Sequence, residues 1–340
     1  MSMDDRKQRI MMAIVSLYAS CGEPVGSNLL SRHFNMAVSS ATLRNEMAAL
    51  TRQGLLEQPH TSAGRVPTTK GYRYYVDNLL QTPDALPTQD RQAMDAAFHK
   101  LDYDPEKMVQ GAAKTLSAFL GHAVIATTPR AENTFIAHFE VIQVGRYTAA
   151  VLAVTGAGGV RSRVAKVEAE LAEGDTARIA AVLNRQLRFV AEADVSAGLI
   201  RAMVDELGEK GPPNWPIFSA ALTLLEEAGQ HNLYFEGQQH LLYWPELEGS
   251  FRAIMDLVSE PARIEAILHP RSGHTTIIFG DELEPPVPGL CLISRQYLAG
   301  GGLAGSLTVA GPARIRYREV IPKLEYFSEL LGKGLSGTAA

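Results

Sequence analysis

Apolar residues recur at helical spacing through the first quarter of the chain and predict three helices in close succession. The first runs from about Asp5 to Ser20, with Ile10, Ile14, Leu17 and Tyr18 on one face, and Gly22 and Pro24 stop it. Ser27 is placed to cap a short second helix carrying Leu29, Leu30 and Phe34. Four residues, Asn35 to Val38, lead into a third helix. There Leu43, Met47 and Leu50 form one stripe at roughly 100° per residue. Ser39 or Ser40 supplies the N-cap oxygen, and Gly54 ends the helix one position past its C-cap. Helix, short turn, helix is the helix-turn-helix arrangement. Leu55–Gln58 then reads as a short strand, His60 to Arg65 as a polar loop and Val66 as the start of the return strand, which together make a wing. A last helix, opened by Pro67 and Thr68, closes this unit with Tyr72, Tyr75, Val76 and Leu79 facing inward.

Gln81–Thr88, with Pro83 and Pro87, reads as a linker. Two amphipathic helices follow, one with Met94, Phe98 and Leu101 and one with Met108, Ala112, Leu116 and Phe119. From His122 the period changes to that of strands. HAVIATT, FIAHFEVIQVG, YTAAVLAVT and VRSRVAKVEA are apolar and β-branched, punctuated by Gly145, Gly156, Gly158 and Gly159. Asp175 to about Leu257 is mostly helical, broken at Gly211-Pro212-Pro213. Strands return at Thr275–Phe279, Leu290–Ile293 and Leu307–Val309, and Ile321–Leu331 is a final helix before a Gly- and Ser-rich tail expected to be disordered. A β-rich fold that resumes after a long helical stretch implies an insertion.

The third helix carries the chemistry. Opposite its apolar stripe lie Ala41, Arg44, Asn45 and Ala48, a face with no Glu or Lys to solvate it. Arg pairs with guanine and Asn with adenine in the major groove, so Arg44 and Asn45 are the base-reading pair of a recognition helix. Ser39, Ser40 and Thr42, at a first turn with free backbone N–H groups, suit a phosphate. The wing residues His60, Thr61, Ser62, Gly64 and Arg65 are fit for phosphates or a minor groove. Arg65 has a second reading, in which it braces the wing through backbone carbonyls. The structural alternative for Arg44 and Asn45 is an ordinary solvated helix face.

Charge sharpens this. The 340-residue chain carries a net charge of −5, which argues against nucleic acid for the whole. Residues 1–80 nevertheless hold nine basic and six acidic side chains, so the first quarter is positive at +3. Length allows two or three domains, and no run of 18 apolar residues marks a membrane helix. The charged N-terminus is not a signal peptide, and two distant cysteines, Cys21 and Cys291, fit a reducing cytoplasm. The nine histidines show no HExxH or paired spacing, and no nucleophile elbow or triad is apparent, so neither metal nor catalytic residues are expected. Gly300-x-Gly302-x-x-Gly305 formally matches a dinucleotide fingerprint. SLTVAG follows it, which is strand-like, so it reads as a turn between strands, and Gly156–Gly159 as a hairpin turn.

PVGS at 24–27, SSATLRNEM at 39–47, QPHTSAGRVPT at 58–68 and GYRYYVDNL at 71–79 resemble the N-terminal signature of the HrcA family. IIFGDEL, YLAGGGLAGSLTVAGPARIRY and AGQHNL are similar to further, weaker family motifs. The resemblance implies a non-enzymatic repressor of heat-shock genes in the cytoplasm. It implies a homodimer on double-stranded DNA at a CIRCE-type inverted repeat, kept active by the GroEL-type chaperonin, with no cofactor. The expected fold is α+β and multidomain. A winged helix occupies 1–80, a linker and connecting helix 81–104 and a GAF-like domain 105–170 and 262–334. An inserted dimerisation domain occupies 171–261 and a disordered tail 335–340. A GAF-like body also leaves open a metabolite-sensing regulator as the alternative.

Overall fold

A computed structural model of the chain describes residues 4–60, 63–81, 86–129, 135–156, 159–191, 194–229, 232–268, 274–300 and 303–337. Helix α1 (Asp5–Cys21) begins where the Asp4 carboxylate accepts the Arg6 amide, and it ends at Gly22 in the left-handed region (φ 70°). Helices α2 (Ser27–His33) and α3 (Ser40–Arg52) follow at the expected places. The cap of α2 is Gly26 rather than Ser27, whose hydroxyl lies 2.9 Å from that of Ser40. Strands β1 (Leu56–Glu57) and β2 (Val66–Pro67) pair antiparallel, and α4 (Thr69–Tyr74) returns across them. Residues Tyr75–Leu79 continue α4 as one widened turn, in which the Leu80 amide reaches back to the Tyr75 carbonyl.

Helices α5 (Thr88–Phe98) and α6 (Pro105–Leu120) precede strand β3 (Ala123–Thr127). The chain then builds a separate unit. Strands β4 (Ile136–Gly145), β5 (Thr148–Thr155) and β6 (Val160–Lys166) form an antiparallel meander. Helices α7 (Asp175–Gln186), α8 (Ala197–Glu206) and α9 (Trp215–Gly229) share one core with it, through Phe139, Val151, Leu183, Phe218 and Leu224. Strand β7 (Leu233–Glu236) then pairs antiparallel with β3, the strand the chain had left, and the Thr128 amide donates to the Asn232 carbonyl. After α10 (Phe251–Val258) and α11 (Pro261–Ile267) come β8 (Thr276–Phe279), β9 (Leu290–Leu298), β10 (Ala304–Pro312) and α12 (Tyr317–Leu335). The second sheet has the order β7-β3-β10-β9-β8, antiparallel throughout. Helices α6 and α12 cover one face, with Leu116, Leu324 and Phe327 in the core. Residues 238–258 and α11 cover the other through Leu247, Ile254 and Ile264.

This arrangement departs from the expected boundaries in two places. Residues 136–166 belong with α7–α9 rather than with the five-stranded sheet, and 233–261 pack on the five-stranded sheet rather than with the helices before them. Alternation along a strand reports that one face is buried; it does not report which sheet the strand joins.

The tail is the other correction. Helix α12 extends four residues past its expected end, because Gly332 and Gly334 are packing glycines. A Cβ on Gly332 would sit 2.6 Å from the Leu298 carbonyl oxygen, and one on Gly334 2.8 Å from the Phe98 ring. Residues 338–340 of the expected tail, and 82–85 of the expected linker, lie outside the described residues. Between β9 and β10 the Ala299 amide bonds the Leu303 carbonyl and Gly305 already lies within β10, while Gly301 and Gly302 are outside the described residues. A strand rather than a helix follows the glycines, as expected. Gly156 and Gly159 likewise flank the β5–β6 connection, of which 157–158 are outside the described residues.

His122, at the start of β3, is buried and stacks on Trp244 with ring centroids 5.4 Å apart. Burial, then the positive charges of His240 and Arg316, push its pKa from 6.5 down to about 4. The folded state therefore prefers the neutral ring. The stability that this preference contributes is complete above pH 6.5 and is lost as pH falls from 6.5 towards 4. A shift of that size corresponds to about 3 kcal/mol. Urea denaturation at pH 7 and pH 4 should show His122→Phe, which keeps the stack, losing less stability to acid than the wild type by roughly that amount.

Candidate nucleic-acid interface

Helix α3 owes its placement to local bonds at both ends. At its start the Ser39 hydroxyl accepts the Thr42 amide at 3.1 Å and lies 2.9 Å from the Thr42 hydroxyl. Ser40 ties the helix to α2, with its hydroxyl 2.7 Å from the Asn28 amide oxygen. The turn between the helices is held in an unusual conformation. Asn35 and Met36 have φ of 50° and 61°, the Met36 amide donates to the Ser31 carbonyl, and the Ser31 hydroxyl bonds the Val38 carbonyl. At its far end Gly54 (φ 73°) donates to the Thr51 carbonyl and Leu55 to the Leu50 carbonyl, which is a Schellman termination. Leu43, Met47 and Leu50 are buried beneath. A helix fixed at both ends and by its stripe presents its outer face at a defined angle.

That outer face carries Ala41, Arg44 and Asn45, all exposed, with Ala48 half-buried beside them. Among the described residues, Arg44 and Asn45 make no hydrogen bond or ion pair. Glu46, on the flank, is instead drawn inward to Lys7 at 3.5 Å. A guanidinium and an amide, both unpaired on one exposed helix face, retain all their hydrogen-bonding capacity for another molecule.

The loop between β1 and β2 sits beside this helix. His60 is exposed, and its carbonyl accepts the Ala63 amide; Thr61 and Ser62 lie outside the described residues. Gly64 is required by close packing rather than by a bend. A Cβ there would lie 2.4 Å from the Val25 carbonyl, where Arg65 and Val25 exchange backbone hydrogen bonds of 2.9 Å. The Arg65 side chain is half-buried and turned back, with Nε donating to the Thr51 hydroxyl at 3.1 Å and Nη1 approaching the Gly64 carbonyl at 3.4 Å. Ser39, Ser40 and Arg65 thus have structural partners, whereas Arg44, Asn45 and His60 point outward. Asn28 escapes sequence reasoning because its tie to Ser40 spans two helices, and only the polar run GSN hints at it.

Among the described residues, no cluster of His, Cys, Asp or Glu is placed to hold a metal ion, and no helix is long and apolar enough to cross a membrane.

Residues 106–321 match the family model of the HrcA protein C-terminal domain. A heat-inducible transcription repressor HrcA from Desulforudis audaxviator is 30% identical, with 98% of each chain covered. Its counterpart from Syntrophobacter fumaroxidans is 32% identical over 96% of each. Among solved structures, a hypothetical protein determined at 2.2 Å resolution shares the fold with a TM-score of 0.65 at 24% identity, covering 99% of this chain and 100% of its own. These relatives place the chain among transcription regulators rather than enzymes. It belongs to the HrcA family of transcription repressors.

Exposed, unpartnered side chains contribute little to folding. Arg44→Ala and Asn45→Ala should each change the urea unfolding free energy by less than about 0.5 kcal/mol. Leu43→Ala, one position away on the buried stripe, should cost about 2–5 kcal/mol in the same titration.

Proposed function

We propose that residues 1–80 are a winged helix-turn-helix unit that sets α3 into the major groove, Arg44 against guanine and Asn45 against adenine. The observation that carries this is the pair's position: exposed and unpaired on a helix fixed at both ends, within a quarter of the chain that is positive while the whole is negative. The N-terminal turn of α3, with Ser39, Ser40 and Thr42, lies against a phosphate. His60, Thr61, Ser62 and Gly64 form the wing, and Arg65 holds that wing against α3 while its free edge meets the backbone.

In this reading the five-stranded sheet and its covering helices are a GAF-like domain. The unit of β4–β6 and α7–α9 is the inserted dimerisation domain, with its limits near residues 130 and 231. The face of β4–β6 turned away from the helices supports this. Ile142, Ala150 and Val164 lie across from one another on it, as do Val154 and Val160. Val160 and Val164 are 64% and 71% exposed, an apolar sheet face of the kind that a second copy covers. The repressor then acts in the cytoplasm as a homodimer on double-stranded DNA, one protomer per half of a CIRCE-type inverted repeat before chaperonin operons. The GroEL-type chaperonin sets the fraction of repressor that is folded and active.

Arg44→Ala should weaken binding to the inverted repeat by about 1–3 kcal/mol and relax base preference at one position per half-site, read by fluorescence anisotropy on base-substituted duplexes. Unchanged affinity and unchanged preference would sink the recognition role. After a heat pulse, titration against excess operator should show fewer active sites, and chaperonin with ATP should raise that number without altering the affinity of sites already active. A small molecule restoring activity where chaperonin does not would favour the sensor reading instead.

A further inference from the structure

Not every arginine of the N-terminal unit is free for DNA. Arg73, on α4, is committed mainly to the body. Its Nε donates to Glu282 at 2.9 Å, and its Nη2 reaches both Glu282 and the Ile277 carbonyl, the latter at 3.0 Å. Its Nη1 lies 3.6 Å from Asp77, and its plane rests on the Phe279 ring with Cζ 4.8 Å from the centroid. Glu282 is held in turn by accepting the Phe279 amide at 3.1 Å. A second tie joins Thr69 to Asp281. From the other side Arg314, on the body, pairs with Glu246 and lies over the Trp244 ring at 4.6 Å. Its guanidinium comes within 3.3 Å of where a Cβ on Gly22 would stand, at the C-terminal end of α1. Between these anchors Tyr72 lies beside Phe279 and Tyr317, with centroids 6.0 and 6.5 Å away.

A planar arginine that is both bidentate and stacked across the seam, as Arg73 is, fixes an orientation and not only a distance, and so opposes rotation of the winged-helix unit about it. Arg314 packs beside Gly22 but keeps its ion pair and ring contact within the body. The geometry points to Arg73, with Glu282, as a positioning residue for DNA recognition: the pair holds α3 at one angle to the body and thereby sets the half-site spacing that the dimer accepts. This rests on the dimeric repressor reading above. A dimer gains its affinity through the effective concentration of its second recognition helix at the second half-site. That concentration is high at one spacing if the unit is fixed, and lower but spread over many spacings if it swivels.

The test uses full-length protein and synthetic duplexes in which the two halves of a CIRCE-type inverted repeat are moved together or apart by one to five base pairs, plus a duplex with one half-site. Wild type should bind best at one spacing. Arg73→Ala and Glu282→Ala should leave single-half-site affinity within about twofold, while the advantage of the best spacing falls about tenfold. The double variant should be no worse than either single one, since both remove the same pair. Should Arg73→Ala not fold, Glu282→Gln, which keeps the side-chain size and alters only the body, reads the same profile. Variants with the wild-type spacing profile would overturn the proposal. So would variants weakened equally at every spacing and on the single half-site, because that pattern marks a loss of folded protein. Wild type failing to bind any of these duplexes would instead reject the repressor reading itself.

Discussion

The segment Thr69–Leu79 has to satisfy two apolar surfaces at once, and much of the molecule follows from that. Gly71 lets α4 lie so close to β1 that a Cβ would meet the Leu55 carbonyl oxygen at 2.0 Å. Tyr72 and Tyr75, expected to close the N-terminal unit from within, extend past it to Phe279 and Tyr317 of the body. The result is one continuous core from Ile10 to Leu331. The arrangement has a cost, since the Tyr72 hydroxyl is buried with no hydrogen-bond partner among the described residues, which opposes folding by about 1–3 kcal/mol. Burying an aromatic ring of 150–250 Å² contributes about 4–6 kcal/mol in return. The apolar term wins, and the seam holds with a hydroxyl unsatisfied.

Away from that seam the chain builds by closure rather than by shared core. Residues 136–229 fold upon themselves because β4 to β6 are joined by short turns and their buried face is filled by the helices that follow directly. The ends of this unit return to adjacent strands, β3 and β7, so it interrupts the five-stranded sheet at the surface and leaves its pairing intact. A unit anchored in this way leaves its own outer sheet face open, and Ile142, Val160 and Val164 are exposed there.

Helix α3 was legible in the sequence because everything that determines it is local: a serine cap, a stripe at helical spacing and a glycine stop, all within Ser39 to Gly54. The role of each basic residue was not. Arg44, Arg65 and Arg73 look alike along the chain, yet one is exposed and unpaired, one braces the β1–β2 loop and one is locked onto the body. What separates them is a partner: Thr51 for Arg65, 14 residues away, and Glu282 for Arg73, 209 residues away. The return of strands after helices was legible as well, but not which sheet β4–β6 join, nor that β7 pairs back onto β3. Gly332 and Gly334 show the same gap. Their packing partners, Leu298 and Phe98, are distant, so composition alone assigned them to a loose tail.

A net charge of −5 and a function on DNA are compatible because the duplex meets only part of the surface. Screening reduces the influence of charges more than a Debye length of about 8–10 Å away, and at the seam the body carboxylate Glu282 is already paired with Arg73, so the negative charge of the body bears little on the exposed face of α3. A modest excess of positive charge and one exposed Arg–Asn pair can support only weak, short readout, so on the proposed function tight binding would draw on two such units at a fixed distance. On the positioning role proposed for Arg73, specificity is as much a property of the seam that fixes the N-terminal unit as of the face that would touch bases. The seam is made of a buried aromatic cluster and paired charges far apart in sequence, so it depends on the folded body in a way that the local cap and glycine stop of α3 do not.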